Sequence, residues 1–291
     1  MELYDAIFYR KTIKSYSSKT IKKPLLKEIK NLCGNITYLN NDLNIKAHLI
    51  ERGHLIHFLI GKESGVRAPH YILITSNKGE DYLQNVGFAM EKLILELTCL
   101  GVGTSWLKCQ LKREDVKEFV QLDEVDSEYD EDEDMVIDEN EVEYPVSLLA
   151  IGYPDEYESL FRKSKKSYDR KKIKEICKDF DPKWKEVLEG VRVSPSIMNK
   201  QPWEFKMKDD GFDLYECTQK QKLNIDDENK ISMGIALRHF DICCKERQLE
   251  VEYLKRSIKG RRKKEYYISI IDKNQEQNLN SSEKNSWHKI E

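Results

Sequence analysis

Apolar residues along this chain switch between two spacings. Leu83, Val86, Met90, Leu93 and Leu97 recur every three or four positions, the period of a helix with one buried stripe. Gly101 stops that helix, and an extended segment follows. A second helical pattern begins at Met233. VGFAMEKLILELTCLGVGTSWL (86–107) aligns without gaps with MGIALRHFDICCKERQLEVEYL (233–254), setting Gly87 opposite Gly234, Ala89 opposite Ala236, Leu93 opposite Phe240 and Trp106 opposite Tyr253. Strand-like runs flank both patterns. HYILITS (70–76) and PVSLLAIGY (145–153) surround the first. WEFKM and FDLYECT, joined at an Asp210-Gly211 turn, and EYYISIID (265–272) surround the second. Helix, strand, long helix, strand thus occurs twice, which predicts an α+β fold of two related halves packed as a pseudo-dimer. The halves fall at 1–153 and 181–273, with a bridge at 154–180 and a polar, aperiodic tail at 274–291.

Charge changes this picture at one place. Asp123 to Glu143 holds thirteen carboxylates and no Lys or Arg, so setting that run aside takes the net charge from −3 to +10. The first half is longer than the second in just this interval, so the run reads as a solvated surface insertion. It lacks the glycine that an EF-hand calcium loop needs for its tight turn. Basic runs at Arg162–Lys172 and Lys259–Lys264 could meet an anion, but they carry no interleaved aromatics and no element that reads nucleic acid. Seven cysteines, an odd number without a C-x-x-C pair, fit reduced thiols. The chain has no apolar run of the ~18 to 20 residues that would span a bilayer and no signal-peptide core, so the expected location is the cytoplasm and no membrane partner is expected. His54 and His57 have the helical spacing of metal ligands, yet no carboxylate or cysteine pattern completes a site.

Two short stretches remain. YRKTIKSY (9–16) gathers cations and hydroxyls after a short helix, and SPSIMNKQPWEF (194–205) is too polar for a core and too specific for a linker. Together with GVGTSWL (101–107) and IGYPDEYESLFRKSKKS (151–167), they resemble the FMN-dependent nitroreductase family. AIFYRKTIKSY is similar to that family's opening helix and Arg-Arg-Ser-x-Arg signature, and SPSIMNKQPWEF to its Pro-Ser-x-x-Asn-x-Gln-Pro-Trp segment. The first half has LCGNITYLNNDLN where a second Pro-Ser-x-x-Asn would fall, and the second half has no Arg-Arg-Ser counterpart. The resemblance is to a single-chain, tandem branch in which one composite flavin site survives between the halves, and a chain that carries both halves can be monomeric.

The resemblance implies an NAD(P)H-dependent flavin oxidoreductase. FMN would accept a hydride from NADH or NADPH and deliver it to a small-molecule acceptor, such as a nitroaromatic, a quinone or a free flavin. It places the FMN phosphate near Arg10, Lys11, Thr12 and Lys14, with Lys165 and Lys166 as a further clamp, because a dianion favours fixed cations and charge-assisted hydrogen bonds. Pro195, Ser196 and Asn199 would meet the flavin ring's polar edge, and Trp106 and Leu107 its reactive face; Gln201, Pro202 and Trp203 would brace the loop. No dedicated acid or base is implied. A flavin-binding sensor or store, and more remotely a nucleic-acid-binding protein, are the alternatives that sequence leaves open.

Overall fold

The computed structural model describes residues 1–60, 65–123, 142–163, 169–217, 226–258 and 263–274. The chain separates into two units, Met1–Ser167 and Tyr168–Glu291, each built on a four-stranded antiparallel sheet.

In the first unit the elements run α1 (Leu3–Tyr9), α2 (Lys23–Gly34), β1 (Lys46–Ile50), α3 (Gly53–Ile60), β2 (His70–Ser76), α4 (Tyr82–Cys99), β3 (Gly103–Lys108), α5 (Arg113–Lys117) and β4 (Tyr144–Gly152). The strand order is β1-β2-β4-β3. Every residue of β2 is buried, as its nearly continuous apolar run requires of a strand covered on both faces. Ile72, Ile74, Leu149 and Ile151 pack with Leu26 and Ile29 of α2 and with Val86, Met90, Leu93 and Leu97 of α4. Tyr71, Leu73, Leu148 and Ala150 face the other way, onto Ile56 and Ile60 of α3 and Val116 of α5. The apolar stripe predicted from Leu83 to Leu97 is therefore the face that α4 packs on the sheet, and the rest of the helix is largely buried as well.

The second unit runs α6 (Ile173–Ile176), a 3-10 turn (Pro182–Trp184), α7 (Lys185–Arg192), a second 3-10 turn (Ile197–Asn199), β5 (Trp203–Lys208), β6 (Gly211–Cys217), α8 (Asp226–Glu246), β7 (Val251–Leu254) and β8 (Lys264–Asp272). Its strand order, β5-β6-β8-β7, runs first-second-fourth-third, as in the first unit. An aromatic cluster fills one side: Phe205 and Phe240 stack at 5.5 Å between ring centroids, and Trp184 meets Phe212 edge-on at 5.1 Å. Beside α8, α7 comes so close that a Cβ on Gly190 would collide with Cys243 Sγ. Gly190→Ala should therefore destabilise the protein by about 1 to 3 kcal/mol, the usual cost of overpacking. Urea melts check this, and an unchanged midpoint would show that the two helices can separate freely.

The sheets contain more strands than the pattern predicted. In the first half the apolar runs located β2 and β4, and the extended segment after Gly101 is β3. They missed β1, an edge strand in which only Ile50 of Lys46–Ile50 is buried, so it shows neither a continuous run nor a clean alternation.

The acidic insertion also differs from the expectation at its two ends. Residues 124–141 lie outside the described residues, but Asp123 and Glu143, read as part of a solvated loop, are built into the first unit. Glu143 is 1% exposed. Its carboxylate accepts hydrogen bonds from the Thr75 hydroxyl, from the Asp123 N–H at 3.0 Å and from Lys46 Nζ at 3.2 Å, and His48 Nε2 lies 3.2 Å away. Arg113 donates to the carbonyls of both Glu143 and Asp123, at 3.1 and 2.5 Å. Burial opposes ionisation of Glu143, but the hydrogen bonds from His48, Thr75 and Asp123 together with the Lys46 charge outweigh it and hold its pKa at about 2. A carboxylate with this many donors is an anchor rather than part of a free loop.

Candidate functional site

In the first unit the stretch after α1 lies along the sheet margin. Thr12 bridges Thr104 of β3, and the Ile13 N–H donates to the Thr104 carbonyl at 2.9 Å. Gly103 permits this approach, since a Cβ there would lie 2.7 Å from Ile13 Cγ1. Residues 153–162 return along the other side of the same segment. The Ser17 N–H donates to Tyr153 O, Asp155 N–H to Ser15 O and Arg162 N–H to Tyr9 O, each at 2.9 to 3.0 Å. Arg162 Nε adds a bond to Arg10 O at 2.9 Å. The segment is thus held by backbone pairing on two sides, which the sequence pattern alone did not reveal.

The four cationic and hydroxyl positions expected here differ in their surroundings. Arg10 is buried, its guanidinium 4.0 Å from the fully buried Glu91 of α4 and 3.5 Å from Thr12 Oγ1. Its Nε is buried without a hydrogen-bond partner among the described residues. Lys11 pairs with Glu158 at 3.1 Å. Thr12 and Lys14 are exposed. Trp106 and Leu107, adjacent on β3, pack on opposite faces of the sheet, Trp106 with the α2 and α4 side and Leu107 with the α3 and α5 side. The indole Nε1 of Trp106 is buried and has no partner among the described residues. Lys165 and Lys166 lie outside the described residues.

In the second unit the Pro195–Gln201 stretch forms a strained loop between α7 and β5. Met198, Asn199 and Gln201 all have positive φ, at 48°, 56° and 49°, although none is glycine. Side chains hold the loop in this form. Ser196 Oγ accepts from the Gln201 N–H at 2.9 Å. The Asn199 amide donates to Asp169 O at 2.9 Å and accepts from Arg170 at 2.5 Å. Gln201 Oε1 accepts from the Lys171 N–H at 2.8 Å, and Gln201 Nε2 donates to Asn199 O at 3.1 Å. Pro195 is half-buried, while Ile197 and Met198 are exposed. Gln201 thus braces the loop, and Trp203, fully buried, opens β5. Ser194, just before the motif, has a buried hydroxyl with no partner among the described residues.

The histidines have local roles. His57 Nε2 lies 2.9 Å from the Tyr71 hydroxyl, and His239 Nδ1 lies 3.0 Å from Gly190 O. The described residues contain no group of three or more His, Cys, Asp or Glu that could hold a metal, and no helix long and apolar enough to cross a membrane. Motif spacing did not foresee Glu91 and Glu158, the carboxylates facing Arg10 and Lys11. Glu91 carries a weak signal, being an acid set among the apolar residues of α4. Glu158 carries none, because only the fold brings residue 158 to residue 14.

A family model described as "Putative TM nitroreductase" matches residues 2–244. The chain is similar over 93% of its length to 94% of a solved protein described as a putative nitroreductase from Thermotoga maritima, with a TM-score of 0.56 and 20% identity. Shorter similarities cover 56% of the chain and 94% of an FMN-dependent nitroreductase from Clostridium difficile R20291, at a TM-score of 0.39 and 15% identity. They also cover 58% of the chain and 95% of a protein described as a putative NADH oxidase from Clostridium acetobutylicum, at a TM-score of 0.39 and 18% identity. No curated protein matches.

Proposed function

Because this chain belongs to the nitroreductase family described as "Putative TM nitroreductase", we propose that it is an FMN-dependent oxidoreductase using NADH or NADPH to reduce a small-molecule acceptor. When bound, FMN would supply the hydride chemistry, leaving the chain to hold, orient and shield it. The observation that carries the reading is the 195–201 loop. Three non-glycine residues with positive φ within four positions are costly, and such strain gathers where a backbone must meet a ligand in one fixed shape. This is also the stretch that resembles the family's flavin-contacting segment.

The residues present fit the group. Arg10 has an Nε–H without a partner among the described residues and lies 3.5 Å from the Thr12 hydroxyl, and Lys14 is exposed on the same segment, donors suited to a phosphate. Pro195 and Ser196 stand at the entrance to the strained loop, Asn199 fixes its shape, and Trp106 and Ser194 carry polar hydrogens without a partner among the described residues, suited to an acceptor atom. Lys165 and Lys166 belong to the proposal on sequence grounds alone. So do the tandem origin of the two halves, the sharing of one FMN by residues of both, and a monomeric, cytoplasmic protein without nucleic-acid or membrane partners.

Anaerobic spectra of the protein with FMN test the reading. Added NADH or NADPH should bleach the flavin band near ~450 nm, and calorimetry should give one FMN per chain. Failure to bind saturating FMN would refute the proposal. Binding without bleaching would make the protein a non-catalytic flavin carrier, and two flavins per chain would reject the shared single site.

A further inference from the structure

The YRKTIKSY segment carries an anion seat that the chain fills itself. Oε2 of Glu158 accepts from the backbone N–H groups of Lys14 and Ser15 at 3.0 and 2.7 Å, while Oε1 lies 3.1 Å from Lys11 Nζ. Two successive amides and an ammonium are what an oxyanion takes from a protein nest. The turn carrying this carboxylate is secured independently. The Glu158 N–H donates to Asp155 O at 2.9 Å, Asp155 N–H bonds Ser15 O, and Phe161 bridges Arg10. The backbone that carries Glu158 is thereby held beside the seat on both sides. Burial disfavours its charge, yet the bonds from Ser15, Lys11 and Lys14 prevail and lower its pKa below the usual carboxylate value.

The same geometry alters the charge that this segment offers to an outside anion. Glu91 faces Arg10 and Glu158 faces Lys11, so two of the three cations between Tyr9 and Tyr16 are already compensated. Lys14 makes no ion pair among the described residues, and it is exposed.

We propose that Glu158 is a positioning residue, a resident anion that holds Lys11, Lys14 and Ser15 in one arrangement so that a cofactor phosphate meets an already ordered segment. The positioning part stands on the geometry above; its consequence for cofactor affinity rests on the FMN reading of the preceding subsection. Lys11 then serves the segment's shape rather than the phosphate directly, and Lys14 is the lysine left to meet the phosphate.

The test compares wild type with Glu158→Ala, Glu158→Gln and Lys11→Met, first without flavin. Amide hydrogen exchange at Lys14 and Ser15 should speed up by roughly tenfold or more in Glu158→Ala, as expected when hydrogen bonds to a charged acceptor are lost. Sodium formate at tens of millimolar should slow it again by refilling the seat, and Glu158→Gln, which keeps an acceptor oxygen, should fall between. FMN titration should then show Kd weakened about tenfold in Glu158→Ala and changed much less in Lys11→Met. Unchanged exchange in Glu158→Ala, or no response to formate, would overturn the resident-anion assignment whether or not flavin binds. Tighter FMN binding in Glu158→Ala would also overturn it, because the carboxylate would then be a competitor for the phosphate. Should wild type bind no FMN, the exchange measurements still decide the positioning role while the flavin reading fails.

Discussion

Glu143→Ala should lower the stability of this protein by about 2 to 3 kcal/mol, the range for losing hydrogen bonds to a buried charged group. The substitution strands the Asp123 N–H and takes one partner each from the Thr75 hydroxyl, which keeps His48 Nε2 at 2.9 Å, and from Lys46, which keeps the Asp123 carboxylate at 2.5 Å, and it unties the base of the acidic insertion. Deleting 124–141 across a short Gly-Ser bridge should cost far less, because Asp123 and Glu143 are already hydrogen-bonded at 3.0 Å and the gap between them is small. Extending the deletion to remove Asp123 and Glu143 as well should recover the full penalty of the point mutant. The folded pKa of Glu143, about 2, lies below its ordinary value of 4.5. Its contribution is therefore fully present above pH 4.5 and is lost as pH falls from there towards 2. Urea melts across that interval should show a steep acid limb in wild type and a flatter one in Glu143→Gln. Equal losses from the 124–141 and 123–143 deletions would show that the anchor contributes nothing.

The anchor shows where pattern reading stops. Composition marks Asp123–Glu143 as one acidic block, because thirteen carboxylates look alike in a sequence. Which of them turns inward depends on Lys46, His48 and Thr75, donors on β1 and β2 some 70 to 100 positions earlier. The strongly periodic elements were legible for the opposite reason. The stripe of α4 and the continuous run of β2 are local consequences of burial, and their spacing reports it directly. Edge strand β1 was not legible, since a half-covered strand with Lys46 and His48 in it has no pattern of its own. The site divides the same way. The motif stretches stood out by composition, yet the partners that determine what Arg10 and Lys11 can do, Glu91 and Glu158, come from elsewhere in the fold. Spacing cannot report a charge that is neutralised across 147 residues.

Arg10→Ala should have two separable effects, one on folding and one on flavin. Removing the guanidinium takes from Glu91, a side chain at 0% exposure, the cation that lies 4.0 Å away. Breaking a buried ion pair from one side costs roughly 3 kcal/mol, so a clear fall in melting temperature is expected. FMN should also bind more weakly, by about 1.5 to 3 kcal/mol, the value of a hydrogen bond to a charged group. The first effect could produce the second, so the pair must be removed together. Replacing both partners by apolar residues of similar size, as in Arg10→Met with Glu91→Leu, removes both members of the pair, and such exchanges are often neutral. The double variant should melt close to wild type while binding FMN as weakly as Arg10→Ala. A double variant that recovers wild-type affinity would remove Arg10 from the flavin site and leave it as a packing residue between α1 and α4. One that melts as low as Arg10→Ala would show that the stability loss does not come from breaking the Arg10–Glu91 pair.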